Sequence, residues 1–203
     1  HITEAVNFTV NGTADGSGME IPDDNTGSYG FIKICAPATV TLNGGPYTGD
    51  TDNGALIYAV QMPAPEDEAD GDPLSGANGC TINLNDVTAT TNKWVLNTDT
   101  FNTMTLNVNR GTHTSTAPYW ENSSGNATGY DVFGLDCIQI ESAEFNFTDV
   151  AITTNGCTCV ENAGGTATYT NCTFVVLEPT DAEEGLDPSY LSTAVAGSWE
   201  GVA

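Results

Sequence analysis

The stretch Ala143-Glu144-Phe145-Asn146-Phe147-Thr148-Asp149-Val150-Ala151-Ile152 reads as a strand with a fault in it. Its apolar side chains recur every second residue, the period of a β-strand, whose successive side chains point to opposite faces. Phe145 and Phe147 share one face, but Val150 and Ile152 fall on the other. The phase flips near Asp149, and a bulge there would restore a single buried face. The same period runs outward from this stretch in both directions. It carries Ile2, Val6, Phe8 and Val10 in residues 1–10, Cys80, Ile82 and Leu84 in 80–87, and Met104, Leu106 and Val108 in 101–108. Segments 29–42, 55–62, 132–140 and 165–177 are further strand candidates, with Pro37 marking a bend or an edge. Clusters of Gly, Asn and Asp at 11–18, 23–27, 43–54, 63–79 and 121–129 separate them as turns and loops.

Eight or more short strands predict an all-β fold, a sandwich, jelly roll or barrel. The alternative is a parallel β-helix. Phe145-Asn146-Phe147-Thr148-Asp149 and Tyr169-Thr170-Asn171-Cys172-Thr173-Phe174 resemble each other loosely, as stacked rungs do. A solenoid needs at least three repeats, and no fixed period is sustained along the chain, so the sandwich or barrel is the expectation. Asp187 as N-cap, Pro188 in the first turn and Gly197 as a stop predict one short C-terminal helix, with Tyr190, Leu191 and Val195 available for packing. The organisation expected is an N-terminal strand and linker over 1–18 and a single β domain over 19–203.

Charge excludes several function classes. The 203 residues hold 27 acids against 3 bases, Lys33, Lys93 and Arg110, for a net charge of −24. Three bases cannot assemble the basic patch that nucleic acid requires, and the chain is unsuited to anionic lipid. No apolar run approaches a membrane span. A first residue of His rather than Met is read as a processed product, and the expected compartment is extracellular or the cell surface. Cys35, Cys80, Cys137, Cys157, Cys159 and Cys172 are an even set and read as a framework of three disulfides, their pairing open. Asn7, Asn11, Asn122, Asn126, Asn146 and Asn171 begin N-x-Ser/Thr triplets and are candidate glycosylation sites, so covalently attached glycans are expected.

Enzyme signatures are scarce: no nucleophile elbow, phosphate loop or dinucleotide fingerprint occurs. No catalytic residue and no cofactor are expected. Acidic loops at 50–54 and 66–72 offer hard oxygens to calcium, but neither has the EF-hand spacing and both read as solvated surface. Tyr119 and Trp120 form a small aromatic pair, a feature of a carbohydrate-binding or adhesin module. His1 with His113 resembles the histidine brace of lytic polysaccharide monooxygenases, which implies a secreted copper protein acting on polysaccharide.

The N-terminus carries the leading functional reading. An amphipathic strand, residues 1–10, is followed at once by a Gly/Ser/Asn/Asp linker. This arrangement resembles donor-strand-complemented subunits of extracellular pili and fibres. The resemblance implies that Ile2, Val6, Phe8 and Val10 fill a groove in a neighbouring copy, that the partner is the chain itself in a helical homopolymer, and that the protein is structural.

Overall fold

The computed structural model describes residues 2–15, 29–49, 54–59, 77–98, 103–116, 120–121, 127–128, 132–135, 143–155, 158–177 and 195–202. These residues build a three-sided parallel β-solenoid. The first coil is β1 (Asn7–Asn11), β2 (Ala14–Asp15) and β3 (Tyr29–Ile34). The second is β4 (Thr39–Asn43), β5 (Tyr47–Gly49) and β6 (Gly54–Ala59). In the third, β7 (Thr81–Thr91) runs along two sides before β8 (Leu96–Thr98). The fourth has β9 (Thr105–Ser115), a hairpin of β10 (Trp120–Glu121) and β11 (Ala127–Thr128), then β12 (Phe133–Leu135). β13 (Glu144–Asn155) and the start of β14 (Val160–Thr170) make the fifth. The rest of β14, β15 (Thr173–Leu177) and the start of β16 (Val195–Val202) make the sixth.

Each strand pairs in parallel with its counterpart one coil away. On the first side the order is β1, β4, β7, β9, β13, β14 and the end of β16, with Asn7, Thr39, Thr81, Thr105, Glu144 and Thr166 in register. On the third side the order is β3, β6, β8, β12, β14, β16. Only the small β10–β11 hairpin is antiparallel among the described pairs. The sandwich, jelly roll and barrel are therefore overturned. Those architectures rest on antiparallel hairpins, whereas here each strand is followed by a turn to the next side and pairs only after a full circuit.

The phase flip near Asp149 is a corner between two sides. Gly12, Gly44, Asp86, Arg110, Asp149 and Asn171, each directly after the first-side strand of its coil, all have positive φ. One left-handed residue turns the chain through the corner, so Phe145, Phe147, Val150 and Ile152 all face inward and are buried. At the next position of the fourth coil, Gly111 has φ of 125°, and a Cβ there would run into the Val87 carbonyl of the coil beside it.

Inside, the columns stack by type. Val40, Ile82, Leu106 and Phe145 form one, and Leu42, Leu84, Val108, Phe147 and Tyr169 the next. Phe133 meets Phe147 edge-on at 5.3 Å, and Phe147 stacks on Tyr169 at 5.1 Å. Outside, amides line up between coils. Asn43 donates to Asn11 at 2.9 Å, Asn85 to Asn43 at 2.9 Å and Asn109 to Asn85 at 3.0 Å. A second ladder runs from Asn146 to Asn107, Asn83 and Thr41. Strand spacing of about 4.8 Å brings identical side chains into register, so each amide satisfies its neighbour.

No helix occurs among the described residues. Val195 and Gly197, expected within and at the end of a C-terminal helix, lie in β16, paired with Val160 and Asn162 of β14. Segment 110–115, which holds His113, is the second half of β9. Segment 43–54, read as a loop, contains β5. The N-terminal segment 1–18 contributes β1 and β2 to the same sheet as the rest, through β4 and β5.

Candidate assembly surface at the ends of the solenoid

Ile2 is the first of the described residues. Its amide donates to Lys33 O and its carbonyl accepts from Cys35 N, both at 2.8 Å, which places it beside Ile34 and buries it. Thr39 N then donates to Val6 O at 2.9 Å, and β1 runs along β4 from Asn7 to Asn11. Phe8 lies in register with the buried Val40, and Val10 with Leu42. Phe8 thus occupies a core position that, among the described residues, has a coil on one side only. It is 38% exposed, and Val6 is 42% exposed. Val10 is half-buried and packs against the core. A groove of about 350 Å³ opens here, lined by Ile2, Val6, Phe8, Phe31 and Ile32 together with Thr3 and Glu4. The four residues expected to act together, Ile2, Val6, Phe8 and Val10, are in one region, but β1 pairs with β4 of its own chain. What it offers a neighbour is its second edge and the open groove.

β15 carries exposed apolar side chains on its outward face, between the half-buried Phe174 and Val176, that the sequence reading missed. β15 pairs with β13 and with no other strand among those described. Val175 and Leu177 on it are 37% and 49% exposed. With Val6 and Phe8 they are the large exposed hydrophobics of the described residues. The signal was present in Phe174-Val175-Val176-Leu177, a continuous apolar run where one-sided burial calls for alternation.

The remaining candidates are scattered. His113 is fully buried in the column of Tyr47, Ala89, Ile152 and Phe174, with its ring 5.2 Å from Phe133. Neither ring nitrogen has a hydrogen-bond partner, and burial lowers its pKa to about 3. Such a ring is sealed from a surface copper site, and its brace partner His1 lies outside the described residues. No three His, Cys, Asp or Glu side chains gather to hold a metal among the described residues. Acidic loop 66–72 is outside them, and of 50–54 only Gly54 is inside.

Cys35 and Cys172 carry free thiols in this structure. Cys172 follows the corner residue Asn171, and its Sγ lies 3.4 Å from the carbonyl oxygens of Phe147 and Thr170. Burial pushes that thiol's pKa up. Cys80 and Cys159 are buried, and Cys137 and Cys157 fall outside the described residues. Of the sugar candidates, Asn7 is exposed on edge strand β1. Asn11 and Asn146 sit in the amide ladders, where an attached glycan would crowd the adjacent coil. Asn171 donates to Asp149 at 2.6 Å, and Asn122 and Asn126 are not among the described residues.

Charge avoids the first side. Its outward positions are Asn and Thr, with Glu144 the single carboxylate between β1 and the end of β14. Charges sit instead at the corner, where Arg110 grips Asp86 through Nε at 2.6 Å and Nη2 at 2.7 Å. That pair is exposed on both partners, and the guanidinium hydrogen bonds hold the Asp86 carboxyl below its usual range. Among the described residues no helix is long and apolar enough to cross a membrane. Set against family models, curated proteins and solved structures, the chain matches none.

Proposed function

We propose that the chain is a structural subunit of an extracellular fibre, in which the N-terminal strand β1 of one copy completes the sheet of another. The observation that carries this reading is Phe8: a core position, in register with buried Val40, with no coil on its outer side among the described residues. An edge strand with an apolar flank is a template for another strand, and proteins that stay monomeric cover or charge such an edge. Solenoids in particular close their ends with polar caps. β1 has Asn7 and Thr9 on its outward face but Val6 and Phe8 at the open groove. The scarcity of Lys and Arg and the N-x-Ser/Thr triplets fit an extracellular, glycosylated coat. The role is structural and not enzymatic.

The test is electron microscopy and sedimentation of the purified full chain. Filaments are expected, and Phe8→Asp abolishes them, because a carboxylate in an apolar contact loses its water without gaining a partner. A monodisperse monomer at high concentration would sink the reading.

A second reading has one observation in its favour. The first side presents an uncharged array of amides and hydroxyls on a protein of net charge −24. An array of this kind suits a hydroxyl-rich carbohydrate ligand, as in an adhesin. Co-sedimentation with insoluble polysaccharides tests it, and retention that survives Asn107→Asp would argue against this face.

A further inference from the structure

Beyond the corner, the second-side strands carry a short alternation of their own: Thr88-Ala89-Thr90 in β7, Thr112-His113-Thr114 in β9 and Ala151-Ile152-Thr153 in β13. The middle residue of each points inward and is buried, so its two neighbours point outward. Parallel pairing then stacks the threonines. Thr48, Thr90, Thr114 and Thr153 are in register on four successive coils. Thr88, Thr112, Ala151 and Thr173 form a second column beside them. Neighbouring coils lie about 4.8 Å apart and alternate residues of a strand about 6.6 Å apart, so the side chains make a rectangular net.

We propose that this second side is an ice-binding face, a net of hydroxyls and methyls that holds the protein on the surface of an ice crystal. It is separate from the β1 edge, so a monomer and a fibre carry it alike. Charge is the first argument. Between Asp15 and Val175, which flank the first column, the net holds no charged side chain, on a chain of net charge −24. A charged group pressed against a neutral lattice would lose its water shell without gaining a partner. The side chains are the second argument. Threonine is β-branched, so its restricted χ1 holds hydroxyl and methyl at set places in the net. On the first side the amides bond one another between coils, whereas among the described residues these hydroxyls make no such bond and are left for a ligand. The partner's repeat is the third argument. A soluble sugar or peptide meets only a few points of such a net, and no aromatic ring, the usual platform for a sugar face, stands on it. The prism faces of hexagonal ice repeat their oxygens on a rectangular net of similar dimensions. Each hydroxyl then takes the place of a lattice water, and each methyl leaves liquid water.

The experiment grows ice slowly from a solution of the full chain mixed with serum albumin and measures the fraction of each protein taken into the ice. Freezing and melting points of single crystals are read alongside. The chain is expected to enter the ice and to hold the freezing point below the melting point, while albumin stays in the liquid. Thr90→Tyr sets a ring above the net, at an exposed position, and is expected to lower uptake to that of albumin. Thr166→Tyr, exposed on the first side, is expected to keep the parent's uptake. Circular dichroism checks the fold of both; if Thr90→Tyr does not fold, Thr88→Tyr replaces it. Exclusion of the parent from ice overturns the proposal and leaves the fibre reading untouched. So does a Thr90→Tyr chain that enters ice as the parent does, or an equal loss in Thr166→Tyr.

Discussion

His113 shows what one residue can cost a core. Its neighbours Thr112 and Thr114 face outward, and the run Thr-His-Thr-Ser reads as polar from composition alone. Alternation nevertheless points the imidazole inward beside Phe133, with no partner for either nitrogen. Desolvation penalises the charged ring and lowers its pKa from 6.5 to about 3. Above pH 6.5 the ring is neutral in both the folded and unfolded chains, and stability is unaffected. Below that the unfolded chain takes a proton that the folded chain refuses. Stability is then lost at up to about 1.4 kcal/mol per pH unit until the folded pKa is reached, and the loss levels off below it. His113→Phe removes this dependence. Urea unfolding of parent and variant across the acid range should show their difference widening steadily as pH falls. Parallel profiles would mean that His113 takes up a proton as readily folded as unfolded.

At the scale of elements, the strands were legible and their stacking was not. The alternation that marks Met104, Leu106 and Val108, or Phe145 and Phe147, comes from one buried face, which any β architecture supplies. The parallel alternative lost its weight because the repeat has no fixed length. Ladder partners lie 32, 42, 24 and 39 residues apart. Loops of different size between recurring corners erase the period while leaving the rungs in register. The clue lay in the rung itself: Thr39-Val40-Thr41-Leu42-Asn43, Thr81-Ile82-Asn83-Leu84-Asn85 and Thr105-Leu106-Asn107-Val108-Asn109 share one pattern ending in Asn before a left-handed residue. The one resemblance noticed, between Phe145–Asp149 and Tyr169–Phe174, joined true rungs in the wrong register, since Tyr169 pairs with Phe147. Of the expected C-terminal helix, Asp187, Pro188, Tyr190 and Leu191 lie outside the described residues, while Val195 and Gly197 are in β16, where pairing with β14 overrides local preference. The ladder makes its own prediction. Asn85 donates to Asn43 and accepts from Asn109. Asn85→Asp keeps the acceptor, removes the donor and faces Asn43 Oδ1 with a carboxylate. A loss of about 1–2 kcal/mol in unfolding free energy is expected above pH 5, shrinking as the carboxyl protonates and becomes a donor. Denaturant titration at two pH values measures it, and a loss independent of pH would show that the amide proton is not what the ladder needs.

For the whole molecule, two opposing properties decide how assembly responds to salt. The β1 edge is apolar, with Val6 and Phe8 exposed at it. The body is strongly acidic, with 27 acids, 3 bases and a net charge of −24. Stacking two such bodies brings like charges together, and that repulsion is felt over the screening length, about 30 Å at 0.01 M salt and about 8 Å at 0.15 M. The apolar and strand-edge contact is short-ranged and is not weakened by screening. Raising ionic strength therefore removes the opposing part and leaves the attractive part intact. Filament formation is expected to be suppressed at low salt and to set in at progressively lower protein concentration as salt rises. Mild acid acts in the same direction by neutralising carboxylates, until protonation pressure on His113 begins to loosen the subunit. The two effects separate in the His113→Phe variant, which should keep assembling at a pH where the parent falls apart. Light scattering across a salt series at neutral pH, followed by the same series in mild acid with both chains, measures all of this. Assembly that weakens as salt is added would show that ion pairs hold the junction, and the apolar β1 edge would then have no part in it.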